Sequence, residues 1–146
     1  MSYKITEVDG KTCAGEIDRI NGLFKKDFLP LKRKHLVKGH WWLVYDDARL
    51  IGFAGSVPFD PFPRVGYLKR AAVLEEYRGK GIQRELMALR EDRARASTDW
   101  MCLVSECHME NVASANNFIR SGYMLCDVER PWAKETLFWI KTLERT

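Results

Sequence analysis

Residues 66–95 read GYLKRAAVLEEYRGKGIQRELMALREDRAR, and the rest of the chain is organised around this stretch. Its first part, Tyr67–Val73, is rich in aromatic and apolar residues and predicts a strand. From about Ile82 to Ala96–Ser97, apolar residues recur at spacings of three and four, which predicts a helix. The loop Arg78-Gly79-Lys80-Gly81 connects the two, so the order is strand, glycine loop and helix.

This loop combines two glycines and two cations at the start of a helix, a pattern that favours a bound anion. Glycine allows the backbone to approach a ligand closely. The first amides of a helix have no partner within the helix, and the helix dipole favours negative charge at that end. Arg78 and Lys80 add two full positive charges. We therefore expect a phosphate or pyrophosphate group to bind there.

The composition predicts one globular domain spanning residues 1–146. Hydrophobic residues make up 46% of the chain and aromatic residues 12%, enough for a substantial core. No apolar run reaches the roughly 20 residues of a membrane-spanning helix, and the first residues lack the apolar segment of a signal peptide. We therefore expect a cytoplasmic protein with no membrane partner.

The cysteines give no sign of a disulfide framework. None of the four lies in a C-x-x-C pair, and the spacing of Cys102, Cys107 and His108 matches no usual zinc pattern. We therefore expect free thiols and no bound metal.

The formal net charge of +4 has a location, because six basic residues fall within Lys25–Lys38 beside a single acid, Asp27. Such a run could attract nucleic acid, an acidic substrate or a phosphorylated cofactor, although a solvated helix face is the simpler interpretation. No aromatic-interleaved platform or recognition-helix pattern accompanies it. Nucleic acid is therefore not expected as a partner.

Hydrophobic periodicity and turn residues predict the other elements. Before the central stretch they are a strand at Tyr3–Val8, helices at Thr12–Phe24 and Leu31–Lys38, and a hairpin of strands Trp41–Tyr45 and Leu50–Val57. Phe59–Arg64 is rich in proline and is expected to be an irregular loop. After the central helix come a strand at Trp100–Glu106, a helix at Asn111–Ser121 and strands at Tyr123–Val128 and Thr136–Ile140. The helix at Asn111–Ser121 should bury Ala115, Phe118 and Ile119.

The central helix connects the fourth strand to the fifth as a βαβ unit. This predicts that the two strands are parallel and that the crossover connection is right-handed. The short connections elsewhere predict antiparallel neighbours. The fold class is therefore α/β (α+β): a single domain with a mixed, mostly antiparallel, twisted sheet and helices on both faces.

Two motifs resemble the GCN5-related N-acetyltransferase (GNAT) family. The first, Ala72–Gln83, is similar to the family's acetyl-CoA signature, in which a strand ending in Ala-Val leads into an R-x-x-G-x-G/A loop. It departs at Gln83, where Gly or Ala is usual. The second starts at Asn111 and continues through Ser114 to Gly122-Tyr123, similar to the family's N-x-x-A/S…Y-x-x-x-G-F/Y helix.

The resemblance implies which residues bind acetyl-CoA. The loop and helix start hold the pyrophosphate, the fourth strand holds the cofactor arm, and the second motif contacts the arm. The implied residues are Ala71, Ala72, Val73, Arg78, Gly79, Lys80, Gly81, Ile82, Gln83, Asn111, Ser114 and Phe118. To leave backbone amides for the arm, the fourth strand must bulge or splay from the fifth.

The resemblance also implies direct transfer of an acetyl group from acetyl-CoA to a primary amine, without metal. Glu106 stands where some members place the base that removes the amine proton; a solvated carboxylate is the other interpretation. Phe118 replaces the tyrosine that commonly protonates the departing thiolate. The alternative is therefore an acyl-CoA sensor or interaction module with weak or no catalysis.

The acceptor is not specified by these motifs. In the family, three segments shape its pocket, and their residues here are compatible with a small-molecule amine, an acidic substrate, a peptide N-terminus or a lysine. These segments are Leu23–Lys38, Pro58–Arg64 and Glu129–Lys134. A homodimer is also possible, because an exposed final strand could pair with a second subunit.

Overall fold

The computed structural model describes residues 2–26, 28–128, 131 and 134–145. Within them the chain forms a sheet of seven strands, in the order β1-β2-β3-β4-β5-β7-β6. The strands are β1 (Lys4–Val8), β2 (His40–Asp46), β3 (Arg49–Phe59), β4 (Phe62–Val73), β5 (Cys102–His108), β6 (Met124–Cys126) and β7 (Thr136–Thr142). The helices are α1 (Ala14–Leu23), α2 (Arg33–Lys38), α3 (Ile82–Ser97) and α4 (Val112–Arg120).

The sheet is mixed, and β4–β5 is its parallel pair while the other described pairs are antiparallel. This confirms the predicted fold class, because α3 connects β4 to β5 as a crossover and the other strands meet through hairpins or edge pairings. The element order also follows the sequence prediction, with one added turn of 3-10 helix at Glu75–Tyr77 between β4 and α3.

Both faces of the sheet are covered, and this explains why β2 carries a continuous apolar run. Trp41 packs with α1 and α2 on one face, whereas its neighbour Trp42 packs with α3 on the other. Adjacent strand residues point to opposite faces, so a strand that is covered on both sides carries no polar alternation. Trp41 is 0% exposed and Trp42 is 3% exposed, which confirms them as core residues.

The prediction of an irregular loop at Phe59–Arg64 is wrong. β3 continues to Phe59 and β4 begins at Phe62, so that Asp60 and Pro61 alone form the turn between them. The prolines are tolerated because the register shifts between Pro58 and Phe59, and prolines are accepted at such irregularities. Stacked rings reinforce the hairpin, with Phe59 and Phe62 centroids 5.8 Å apart.

Two smaller expectations are also corrected. Ile119 is 59% exposed, because α4 turns only Phe118 and the partly buried Ala115 toward the core. The final strand is not an exposed edge, since β7 lies between β5 and β6. The edges of the described sheet are β1 and the three-residue β6. Of the predicted acceptor segment Glu129–Lys134, residues 129, 130, 132 and 133 lie outside the described residues, as does Asp27.

His35 on α2 predicts a pH dependence of stability. Burial, and then the positive charges of Lys69 and Lys34, lower its pKa from 6.5 to about 4. The unfolded chain therefore binds more protons than the folded chain between these values, so the free energy of unfolding should fall as the pH drops through this window. The measurement is urea denaturation at about pH 7, 5.5 and 4.5.

His35→Gln is the variant that isolates this effect. It should show a shallower fall in stability than the wild-type protein over the same pH range. His40, whose pKa burial also lowers, remains in both proteins and accounts for the background slope. An identical slope in variant and wild type would show that His35 is not buried in its neutral form.

Candidate active site

The glycine loop has a backbone conformation that glycine adopts more readily than any other residue. Gly79 has a φ of +78° and Gly81, the N-cap of α3, has a φ of +84°. A side chain is strained at such angles, which explains why glycine stands at both positions. A Cβ atom at either position would meet nothing within 4 Å, so the surface above the loop is open to a ligand.

The loop is anchored at both ends. Arg78 Nε donates a hydrogen bond of 3.2 Å to the carbonyl of Val73 at the end of β4. Ile82 is 2% exposed and packs against the sheet. The Glu85 amide is bonded to the carbonyl of Gly81. The amides of residues 82–84 come before this first bond of the helix, so they face outward as donors together with the Lys80 charge.

Gln83 occupies the position that departs from the family motif, and its side chain turns back toward the sheet. Its Nε2 donates a hydrogen bond of 3.2 Å to the carbonyl of Ala71 in β4. The bond joins the first turn of α3 to the strand beside it. The longer side chain is therefore accommodated within the protein and leaves the loop open.

The fourth strand is expected to bulge or to splay from the fifth, and β4 does both. Ala71 pairs with Ala54 and Lys69 pairs with Gly55, so Arg70 is an extra residue in β4, with a φ of +63°. The parallel pairing of β4 with β5 runs from Val65 only to Tyr67, which lies opposite Val104. Beyond this pair the strands separate, and residues 71–73 have no partner in β5.

Arg90 of α3 holds the bulge from beneath. The guanidinium is 2% exposed and its Nη1 lies 3.3 Å from two carbonyl oxygens, those of Gly55 in β3 and Arg70 in β4. Its Nε also donates to the carbonyl of Leu86. Burial lowers the pKa of Arg90 to about 10, so it remains a cation at neutral pH. The bonds from Arg90 to Gly55 and Arg70 thus satisfy carbonyls that the bulge removes from regular strand pairing.

Glu106 lies on β5 at the opening between the separated strands. Its Oε1 accepts a hydrogen bond of 2.7 Å from the hydroxyl of Tyr67. Tyr67 is paired with Val104, and Glu106 is two residues beyond it, so both side chains lie on the same face of the sheet. Burial, and then the charge of Glu106, raise the pKa of Tyr67, which therefore stays protonated and donates.

The second motif forms the start and the core of α4. Asn111 is the N-cap, and its Oδ1 accepts a hydrogen bond of 3.0 Å from the amide of Ser114. Phe118 is 6% exposed and stacks on Trp139, with ring centroids 5.4 Å apart. The hydroxyl of neighbouring Tyr123 donates to Glu91, so it does not replace the missing tyrosine hydroxyl at position 118.

A family model described as the acetyltransferase (GNAT) family matches residues 16–123, which include the loop, the separated strands and α4. The chain belongs to the GNAT family. It is an acyltransferase, and the two sequence motifs correspond to its glycine loop with the start of α3 and to α4.

Solved GNAT structures share this fold over nearly the whole chain. The NatC complex bound to Gag peptide and CoA is 19% identical, with a TM-score of 0.78 and coverage of 99% of this chain and 100% of that chain. Arabidopsis thaliana NAA60 in complex with a bisubstrate analogue is 11% identical, with a TM-score of 0.75 and coverage of 97% and 98%. The ribosomal-protein-alanine N-acetyltransferase of Brucella melitensis is 20% identical, with a TM-score of 0.70 and coverage of 96% and 99%. Identities this low show a shared fold and not a shared acceptor. No curated protein sequence matches the chain.

Two residues at the candidate site carry no signal in a sequence motif. Tyr67 and Arg90 make contacts between elements far apart in the chain. The alternation in β4 could indicate that Tyr67 and Lys69 share a face, but the partner of that face depends on the register with β5. Arg90 lies on the buried side of α3. Its position within the apolar stripe of the helix is the sequence feature that could have indicated a buried arginine.

The described residues contain neither a metal-binding group nor a membrane-spanning helix. No group of three or more His, Cys, Asp and Glu side chains there is placed to hold a metal ion, and the cysteines among them are free. Over the same part of the chain, none of the helices is long and apolar enough to cross a membrane.

Proposed function

We propose that this GNAT enzyme transfers the acetyl group of acetyl-CoA directly to a primary amine, with Glu106 as the base. One observation carries the proposal. The opening between β4 and β5 has a glycine-rich anion cradle at one end and the carboxylate of Glu106 at its rim. A long donor with a pyrophosphate and a reactive end suits this arrangement, and acetyl-CoA supplies the acetyl group there as a thioester.

The residues that bind acetyl-CoA in this proposal lie between the glycine loop and Glu106. Arg78, Lys80 and the amides of residues 79–83 hold the pyrophosphate. The backbone of residues 71–73, which has no partner in β5, holds the arm and donates to the thioester oxygen, where negative charge develops. At the start of α4, Asn111 keeps its Nδ2 group as a donor toward the arm, with Ser114 beside it.

Glu106 handles the proton. An alkyl ammonium has a pKa near ~10, so the amine must lose a proton before its nitrogen can attack the carbonyl carbon. Glu106 accepts that proton while Tyr67 holds the carboxylate in place. After the attack the nitrogen loses its second proton to water as the new C–N bond replaces the C–S bond, and the thiolate that leaves must receive a proton. Since Phe118 has no hydroxyl, water or the protonated Glu106 returns it.

Two measurements test this function. Calorimetric titration with acetyl-CoA should show binding, and a thiol reagent should detect CoA release with members of a panel of primary amines. No binding at millimolar acetyl-CoA would overturn the proposal. Binding without thiol release from any amine would support the alternative, an acyl-CoA-binding module, which the buried Phe118 favours.

Gly81→Ala tests the cradle. Alanine at a φ of +84° is strained by about 1–2 kcal/mol, and its methyl group enters the open space assigned to the pyrophosphate. We expect the KM for acetyl-CoA to rise about tenfold, equivalent to ~1.4 kcal/mol. Steady-state kinetics with acetyl-CoA varied at fixed amine provides the measurement.

Gly22→Ala is the matched control for this change. Gly22 lies in α1, where an added Cβ meets nothing within 4 Å, and it is remote from the loop. Alanine is the better helix former, so the variant should fold normally and keep the wild-type KM. If Gly81→Ala shares that unchanged KM, the pyrophosphate does not bind at this loop.

A further inference from the structure

Two adjacent cations of β4, Lys69 and Arg70, are half-buried next to the proposed acceptor side of the site. Among the described residues, no ion pair joins either of them to a carboxylate. A cation taken out of water without a counterion is costly, and proteins normally pair it. The charge of Glu106 favours the charged form of both cations. Two positive charges at one place still exceed that negative charge, so the pair can bind a further anion.

Arg70 is held by neutral groups. Its Nε donates to Asn21 Oδ1 at 3.0 Å and its Nη2 donates to the carbonyl of Leu29 at 2.8 Å. Its Cζ lies 4.7 Å from the ring centroid of Phe28. These contacts fix the guanidinium against α1 and the segment after it, but none of them cancels its charge. Arg70 therefore contributes a fixed positive field to the site.

Lys69 points its charge toward the base. Tyr67 and Lys69 lie two residues apart on β4, before the bulge, so they share a face. Lys69 Nζ lies 5.8 Å from the ring centroid of Tyr67, whose hydroxyl is bonded to Glu106. The ammonium and the carboxylate therefore lie near the same tyrosine, the ammonium over its ring and the carboxylate at its hydroxyl.

The basic segment around α2 adds to the same field. Burial lowers the pKa of Lys69, and the charge of Arg70 is the next cause, with smaller contributions from Lys32 and Lys34. The charge of Glu106 acts in the opposite direction. Several cations from β4 and the α2 region thus converge on one place, which is typical of a site for an anion. This gives part of the basic run in the sequence a more specific role than a solvated face.

We propose that the amine acceptor carries a carboxylate, and that Lys69 binds this carboxylate while Glu106 takes the proton from the amine. The proposal rests on the acetyl transfer proposed above and adds the acceptor class to it. An acceptor of this kind is anionic at one end and cationic at the other before it reacts. The opposite charges of Lys69 and Glu106 match those two ends and orient the amine toward the thioester.

The test compares acceptors that differ only in the carboxylate. One pair is alanine and alaninamide, and the other is a short peptide with Glu or Gln as its second residue and an amidated C-terminus. The first pair represents a free amino acid and the second an acidic peptide N-terminus. Values of kcat/KM are corrected for the neutral fraction of each amine, which is measured by titration. We expect the carboxylate member of at least one pair to be preferred by about tenfold, or ~1.4 kcal/mol.

Variants assign the preference to Lys69. Lys69→Met should bring the ratio of kcat/KM for the carboxylate member over the amide member close to one, and Lys69→Arg should keep most of it. Lys4→Met, on the remote edge strand β1, is the matched control and should retain the wild-type ratio. Thermal unfolding checks that each variant is folded.

The outcomes separate the two proposals. If the wild-type protein acetylates the amide and carboxylate members of both pairs with equal corrected kcat/KM, the carboxylate site is overturned. The proposed acetyl transfer would still hold. A preference that survives in Lys69→Met overturns the role of Lys69. Release of no thiol with any of the four acceptors, or with the wider amine panel, overturns the proposed function and this inference with it.

Discussion

Glu106→Gln is expected to lower kcat by about a hundredfold to ten-thousandfold, the usual contribution of a general base. The glutamine side chain keeps the size of Glu106 and can still accept the hydrogen bond from Tyr67, so the geometry of the opening is preserved. It cannot take a proton from the amine. The KM for acetyl-CoA should change little, because the proposed donor contacts lie elsewhere. Initial rates of thiol release at saturating substrates give kcat for both proteins.

A matched substitution elsewhere in the chain separates this effect on kcat from a general one. Glu144→Gln is the control, since Glu144 is exposed and follows the opposite end of β7. A kcat for Glu106→Gln within about threefold of wild type would place the base at another residue.

Arg90→Met is expected to lower the free energy of unfolding by about 2–4 kcal/mol, because it leaves the carbonyls of Gly55 and Arg70 buried without their donor. Methionine fills a similar volume, so the loss comes mainly from these bonds and less from a cavity. The bulge that Arg90 holds should also loosen. The KM for acetyl-CoA should therefore rise, with a smaller effect on kcat. Urea denaturation measures the stability change, and kinetics far below the unfolding midpoint measures KM.

Arg93→Met provides the matched comparison on the same helix. Arg93 is 41% exposed and pairs with Glu7 at 3.2 Å, an exposed contact worth only about 0–1 kcal/mol. Arg90→Lys should fall between wild type and Arg90→Met, since lysine keeps the charge but lacks the planar fork that reaches two carbonyls. If Arg90→Met destabilises the protein no more than Arg93→Met does, Arg90 does not support the bulge.

The correct part of the sequence prediction rests on local patterns. Glycine at Gly79 and Gly81 could be anticipated as positive-φ positions, because the steric cost of a Cβ there belongs to the residue itself. The crossover of β4, α3 and β5 follows from the spacing of apolar residues. The family resemblance also implies a bulge or a splay in β4, although it does not single out Arg70 as the residue that bulges.

The incorrect part concerns where elements end and which faces are covered. Prolines marked Phe59–Arg64 as irregular, yet two strands run into the turn because stacked rings and a register shift accommodate them. Ile119 fits the apolar stripe of α4, but the helix packs through Phe118 and leaves Ile119 in solvent. The helix's packing partners decide such details, and they come from distant parts of the chain.

The sequence by itself determined the family, the element order and the glycine loop at Arg78–Gly81, because each depends on residues that are neighbours in the chain. Only the tertiary structure decided the surroundings of the chemistry. The Tyr67–Glu106 bond joins residues 39 apart in sequence, and Arg90 reaches a carbonyl 35 residues away. Such contacts depend on strand register, and a shift of one residue would turn every side chain of the strand to the other face.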